Sequence, residues 1–305
     1  MSHRLLLDTS SLLYRAFFAL PASITAPDGR PVNGIRGYLD MTARLVTDLG
    51  PDRVLHVFDH DWRPAPRVAA YAGYKAARAP DPEGLPPQFD LLREVLDAFG
   101  QTTVEAPGWE ADDAIGTLCG AVADGERIDV VTGDRDLIQL VRDASSGAGA
   151  VRVLFTVKGV KELACYDEAG VQGKYGIPAS RYADFATLRG DPSDGLPGVK
   201  GVGEKTARDL VRRYGSLDEL RDGAGAQTPR LAAALREADG YLTAMRAVVP
   251  VRTDVDLVEV DGRRDDARLA ALAAEHNLES PVRRLAEALG VAGPPSAEVG
   301  GTPDA

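Results

Sequence analysis

Nine carboxylates fall in short runs whose spacing could do chemistry. Asp8 ends the apolar run Leu5–Leu7, Asp59 follows Val54–Phe58, and Asp134 follows Ile128–Val131. Glu110, Asp112 and Asp113 come after Gly108-Trp109, Asp136 lies two residues beyond Asp134, and Asp191 and Asp194 fall in Gly190-Asp-Pro-Ser-Asp-Gly195. Taken singly, acids at strand ends are commonly turn residues, and acids at a helix start cap free N–H groups and favour the dipole. Gathered on one edge, nine carboxylates repel one another unless cations neutralise them. With two cysteines, Cys119 and Cys165, and four histidines, the chain has no paired soft ligands for zinc. Hard oxygen donors point instead to Mg²⁺ or Mn²⁺. The nine acids also account for most of the formal net charge of −11, so the rest of the surface is near neutral. The overall acidity therefore leaves a nucleic-acid substrate open.

The elements that must position these acids can be read from periodicity. Leu5–Leu7, Val54–Phe58, Ile128–Val131 and Val151–Phe155 read as buried strands. Helical spacing lies between them at Phe89, Leu92, Leu96 and Phe99, and after Trp109 at Ile115, Leu118 and Val122. Strand alternating with helix predicts an α/β fold with a mostly parallel central sheet and flanking helices, whose site lies at the carboxyl ends of the strands. This lobe is expected over residues 1–185. Over 186–291 short helices and glycine turns predict a helical lobe, interrupted by an extended stretch from Val248 to Val260. The Pro/Gly/Ala-rich residues 292–305 read as a disordered tail. A chain of 305 residues with 44% hydrophobic content can bury a sizeable core and is not a disordered polymer. Its three-residue apolar start is too short for a signal peptide, and no run approaches a membrane span, so a cytoplasmic protein is expected.

Two basic features stand beside the acids. Residues 60–88 contain six prolines, few large aliphatics, and Arg63, Arg67, Lys75 and Arg78 with no acid between Asp61 and Asp81. They read as a mobile basic insertion above the sheet that buries little. Gly198-Val-Lys-Gly-Val-Gly-Glu-Lys-Thr-Ala207 fails as a phosphate loop, because Glu204 follows Gly203 and no strand precedes it. It fits a helix–hairpin–helix turn, whose backbone N–H groups meet a phosphate at a helix N-terminus. Lys200, Lys205, Arg208, Arg212 and Arg213 lie nearby. Such a turn grips a duplex backbone without reading sequence. The plain alternative is a simple helix connector.

Six motifs in order then carry a family. They are Leu-Leu-Leu-Asp8 with Leu13-Tyr-Arg-Ala-Phe-Phe18, Val57-Phe-Asp59, Tyr74-Lys-Ala-Ala-Arg-Ala-Pro80, Gly108-Trp-Glu-Ala-Asp-Asp113, Thr132-Gly-Asp-Arg-Asp-Leu137, and Gly190-Asp-Pro-Ser-Asp194 running into Leu196–Ala207. Over roughly residues 4–290 the chain resembles the bacterial 5′→3′ exonuclease and flap-endonuclease family, which includes the N-terminal nuclease domain of family A DNA polymerases. The resemblance implies a PIN-like nuclease lobe with a helical arch or gateway at 60–88, a helix–hairpin–helix lobe, and a two-metal site. Asp8, Asp59, Glu110 and Asp112 look like the first ligand set, and Asp134, Asp136 and Asp191 like the second. Asp113 and Asp194 are expected to act through water. Lys75 and Arg78 match the family's basic arch residues, with a catalytic role at the scissile phosphate. Tyr14, Arg15, Arg67 and Tyr74, with Lys200, Gly201, Gly203, Lys205 and Thr206 of the turn, are expected to face DNA. A K⁺ ion is implied at that turn. The family's usual Asn after the Ser-Asp pair is Gly195 here, which is expected to alter the turn without losing the site.

The expected activity is metal-dependent hydrolysis of DNA at 5′ flaps, nicks and free 5′ ends, RNA–DNA hybrids included, by a monomer in replication and repair. A separate polymerase and ligase are expected to act on the product. The alternatives are a non-catalytic binder of branched DNA, which would gain nothing from clustered acids, and a related ribonuclease with fewer of them.

Overall fold

The computed structural model describes residues 2–145 and 147–293. The tail expected over 292–305 lies almost wholly outside the described residues. Seven strands form one sheet: β1 (Ser2–Asp8), β2 (Arg53–Val57), β3 (Thr102–Glu105), β4 (Glu126–Thr132), β5 (Ala150–Thr156), β6 (Leu163–Tyr166) and β7 (Val258–Asp261). Their order is β6-β5-β4-β1-β2-β3-β7. The five central strands are parallel, and β6 and β7 close the two edges antiparallel. The four strands read from apolar runs are all central. Strand β3 (Thr-Thr-Val-Glu) and the edge strands carry too little apolar patterning to be read that way.

Alternation along β1 divides the core in two. Leu6 faces one side with Leu55, Val57, Val130 and Val153, while Leu5 and Leu7 face the other with Val54, Phe58, Val131 and Leu154. Each such fully buried side chain contributes about 1.5–3 kcal/mol. The helices are α1 (Thr9–Ala19), α2 (Asn33–Leu49), α3 (Ala65–Ala70), α4 (Pro86–Phe99), α5 (Ala111–Gly120), α6 (Glu168–Tyr175), α7 (Tyr182–Arg189), α8 (Glu204–Arg213), α9 (Leu217–Asp222), α10 (Pro229–Glu237), α11 (Asp239–Val248), α12 (Asp266–Glu275) and α13 (Glu279–Ala288). Helices α5, α7, α8, α10 and α11 share the Leu6 face; α1, α2, α4, α12 and α13 share the Leu5 face.

The chain therefore differs from a single helical lobe over 186–291. From Val258 it returns to pair β7 with β3, and α12 and α13 then pack on α4 and α2 across the sheet. Apolar residues Leu269, Leu272, Val282 and Leu285 drive that return, since they complete the face left open between α2 and α4. Residues 60–88 also bury more than their composition predicts. Helix α3 packs on α11, and Arg67, Tyr74, Leu85 and Gln88 are buried. Among the described residues no helix is long and apolar enough to cross a membrane.

Candidate active site

Strands β1 and β4 are neighbours at which the strand order reverses, β2 and β3 running off one way and β5 the other. A crevice opens at such a switch point, beyond the carboxyl ends of the strands. Asp8 ends β1 there and caps α1, accepting from Ser11 N–H at 3.2 Å. Its other oxygen accepts from Thr132 Oγ1 at 2.6 Å, and Thr132 Oγ1 in turn accepts from Asp134 N–H at 2.8 Å. Asp59, just past β2, accepts from Ala111 N–H at 2.7 Å at the start of α5, and its own N–H donates to Ser10 Oγ. Asp136 N–H donates to Asp134 Oδ1 at 2.8 Å. Asp191 caps a single 3-10 turn that carries Asp194. The Ser10 and Thr132 hydroxyls and the Ser11 N–H were missed as positioning groups. The signal was adjacency, since each lies within three residues of a candidate acid.

Glu110 is 3% exposed and crowded by donors. Lys75 Nζ lies 2.9 Å from Oε1, Arg67 Nη1 lies 3.0 Å from Oε2, and the Tyr74 hydroxyl donates at 2.9 Å. Burial pushes its carboxyl up, to about 7, while Lys75 and Arg67 pull it down. Burial alone would lower both cations, but the carboxylates they face outweigh it and raise them. With two cations and a hydroxyl on it, Glu110 stands as a carboxylate. Asp113 is fully buried and takes both arms of Arg67, at 2.7 and 2.8 Å, plus the Arg252 N–H at 2.9 Å. Both its oxygens are taken by Arg67 and by backbone N–H groups, so the expectation that it serves a metal through water does not fit its hydrogen bonding. Arg67 and Tyr74 are equally withdrawn from DNA. The Arg67 guanidinium also donates from Nε to the Val248 carbonyl, which leaves it a strut between α3, α5 and α11. Sequence could not reveal this pairing, because Arg67 and Asp113 are far apart in the chain.

The remaining acids face one another with few cations. Asp8 is pushed up to about 7, first by burial and then by Asp59 and Asp134, against the hydrogen bonds from Thr132 and Ser11. Asp112 rises well above the usual range through burial, Asp134, Asp8 and Glu110. Asp136 does so through burial, Asp134, Asp194 and Asp191. Asp136 Oδ1 is buried with no hydrogen-bond partner. A cavity of about 10 Å³ is lined by Glu110, Asp112, Asp136 and Asp194 together with Arg67, Tyr74 and the apolar Leu196, Val248, Val249 and Val251, room on the scale of one water or small ion. Among the described residues no three carboxylates are already closed around one point at ligating distance. An orphaned carboxylate oxygen, an all-oxygen donor set and unneutralised charge nonetheless fit divalent hard cations.

Around the acids, Arg15 donates to the Gly133 carbonyl at 2.7 Å. Tyr14 is 39% exposed and stacks with Phe18, 59% exposed, which sequence reasoning did not single out although it closes the same motif. Arg78 is exposed above Trp62; burial raises the Asp194 carboxyl, against the pull of Lys75 and Arg78. The glycine-rich turn joins α7 to α8, as a helix–hairpin–helix requires. Gly198 has φ 67°, and a Cβ there would lie 2.5 Å from the Arg189 carbonyl oxygen, so only glycine lets the turn close on α7. Lys200, Gly201, Gly203 and Lys205 are exposed or half-buried beside the α8 N-terminus, and Thr206 is half-buried.

Comparison with solved structures defines the class first. The T5 5′-exonuclease aligns with TM-score 0.59 at 15% identity, covering 95% of this chain and 99% of that one. The catalytic core of Rad2, solved with DNA substrate, aligns with TM-score 0.59 at 18% identity over 94% of this chain and 92% of that one. The fold is thus shared with both of these chains. Residues 3–176 match the family described as 5′-3′ exonuclease, N-terminal resolvase-like domain, and residues 177–272 match the 5′-3′ exonuclease, C-terminal SAM fold. A 5′-3′ exonuclease of Streptomyces coelicolor is 46% identical over 301 residues, 92% of this chain and 98% of its own. DNA polymerase I of Mycobacterium tuberculosis is 40% identical over 306 residues, 97% of this chain but 33% of the polymerase. The chain belongs to the 5′-3′ exonuclease family.

Proposed function

We propose that this chain is a divalent-metal-dependent, structure-specific 5′→3′ exonuclease and 5′-flap endonuclease that hydrolyses DNA phosphodiesters. The observation that carries the reading is the uncompensated set Asp8, Asp112, Asp134 and Asp136 at the switch point, with Asp136 Oδ1 orphaned. Asp8, Asp59, Glu110 and Asp112 would hold one ion, and Asp134, Asp136, Asp191 and Asp194 the other. Two bound Mg²⁺ or Mn²⁺ ions supply water activation and stabilisation of the leaving oxygen. The chain's own groups do the rest. Thr132 and Ser11 fix the Asp8 carboxylate, and the Asp59 bond to Ala111 N–H ties β2 to the start of α5. Arg78 lies exposed at the rim, where it can face the scissile phosphate, and Lys75 sits behind it on Glu110. The exposed Tyr14 ring offers a stacking face to a base near the 5′ end.

The α7–α8 turn would grip duplex backbone through the α8 N-terminus, Lys200 and Lys205, with K⁺ as a candidate ion there. The products are 5′-phosphorylated mono- or oligonucleotides, for which a separate polymerase and ligase would complete repair. A monomer in the cytoplasm fits this role.

The test is an Asp134→Asn substitution assayed for cutting and for binding on the same labelled 5′-flap DNA. Cutting is expected to fall about 10³-fold or more, several kcal/mol of barrier, with binding retained. Wild type and variant that bind alike and both fail to cut would establish the non-catalytic binder of branched DNA instead.

A further inference from the structure

Gly195 and Lys75 belong to one contact. Lys75 has φ 50°, in the left-handed region that a long side chain rarely enters and that marks stored strain at working sites. Its N–H donates to the Asp194 carbonyl at 2.9 Å. Its ammonium, with a side chain only 11% exposed, lies 2.9 Å from Glu110 Oε1 and 3.9 Å from Asp194 Oδ2. Gly195 has φ 72°, and a Cβ there would fall 2.5 Å from the Gly73 carbonyl oxygen and 3.7 Å from Lys75 N. The turn that carries Lys75 can sit this deep only because residue 195 has no side chain. The ammonium is thereby placed between two acids that also line the 10 Å³ cavity.

We propose that the Lys75 ammonium is a built-in stand-in for a divalent ion at the Glu110–Asp194 end of the site, held there by the Gly195–Gly73 contact until metal loads. The proposal rests on the functional reading above. Lys75 and Arg67 bring two positive charges to the three acids Glu110, Asp113 and Asp194, whereas a divalent ion in place of the ammonium balances them, so loading favours expulsion of the ammonium. The freed ammonium can then swing to the rim, where a phosphate would arrive. The contact thus couples metal loading to presentation of a basic group, and it explains why a glycine occupies position 195.

The experiment is acetylation of the full chain by acetic anhydride with and without Mg²⁺, read per residue by mass spectrometry. Lys158, whose side chain is 78% exposed, serves as the internal reference. Lys75 is expected to be protected in metal-free protein and to label roughly tenfold faster in saturating Mg²⁺, the population shift that expulsion implies. In Gly195→Ala, which keeps the ammonium but wedges the turn apart, Lys75 should label fast with or without metal. That variant should also bind Mg²⁺ severalfold more tightly by calorimetry. Unchanged labelling of wild-type Lys75 while calorimetry shows Mg²⁺ bound would overturn the stand-in and leave the nuclease reading intact. Wild-type labelling in Gly195→Ala would remove the role of the contact. No Mg²⁺ binding and no cutting by wild type would overturn both readings.

Discussion

Asp113 and Asp136 belong to the same acid constellation and meet opposite surroundings. Asp113 receives both arms of Arg67 and a backbone N–H, and its neighbour Glu110 holds Arg67, Lys75 and Tyr74. Asp136 has an oxygen with no partner and faces Asp134, Asp191 and Asp194. Arg67 and Asp113 form a girder between α3, α5 and α11, with Glu110 at its edge toward the cavity. The region of Asp136 carries charge that the fold does not satisfy. A protein tolerates such a cluster when a ligand completes it, so the contrast separates an acid satisfied within the fold from one that is not.

The contrast makes its largest prediction in stability. Arg67→Ala strands two buried carboxylates and should destabilise the protein by about 3–5 kcal/mol. Asp136→Asn should do the reverse in metal-free protein, raising stability slightly, because it removes an uncompensated charge. Denaturant titration of both variants checks the pair, and a shift of the same sign in both would erase the distinction.

A smaller effect is expected from pH. The Asp8 carboxyl moves from 3.8 to about 7 on folding. A carboxyl raised in the folded state binds more protons there than in the unfolded chain. Its contribution to stability is therefore greatest in acid and is lost as pH rises from about 4 to about 7. Metal-free wild type should lose up to a few kcal/mol more than Asp8→Asn between pH 5 and pH 8. Saturating Mg²⁺ should flatten that difference. Thermal melts across this range, with and without Mg²⁺, give the reading, and parallel curves for the two proteins would contradict it.

The smallest effect lies outside both regions. If about five basic residues contact duplex backbone, affinity should fall with salt at a log–log slope of about −4.5. Lys200→Ala and Lys205→Ala should each make the slope shallower by about 0.9 and weaken binding by about 1 kcal/mol without touching the acids. A salt-independent affinity would remove the α7–α8 turn from DNA binding.

How much of this was legible depended on distance along the chain. Strands β1, β2, β4 and β5 announce themselves as apolar runs, and the acids at or just past the ends of β1, β2 and β4 put three carboxylates at the sheet edge by spacing alone. Strand β3 was hidden because Thr102 and Thr103 blur its alternation, and β7 because its four residues are exposed at an edge. The return of α12 and α13 to the α2–α4 face was hidden for a different reason. An amphipathic helix declares that it has an apolar side, and nothing in it names the partner. The motifs placed Tyr74 and Asp113 near the site and the basic insertion added Arg67, but spacing could not separate a basic residue facing DNA from one locked onto a buried acid. Only burial and hydrogen bonding divide the nine acids into their two kinds.

The most direct measurement is cleavage of a 5′-flap DNA with a labelled 5′ end, by wild-type protein, with and without Mg²⁺. The account predicts cutting at or near the flap junction only when Mg²⁺ is present. Equal cutting in a chelator would contradict it, because the unneutralised acids would then have a role other than holding metal.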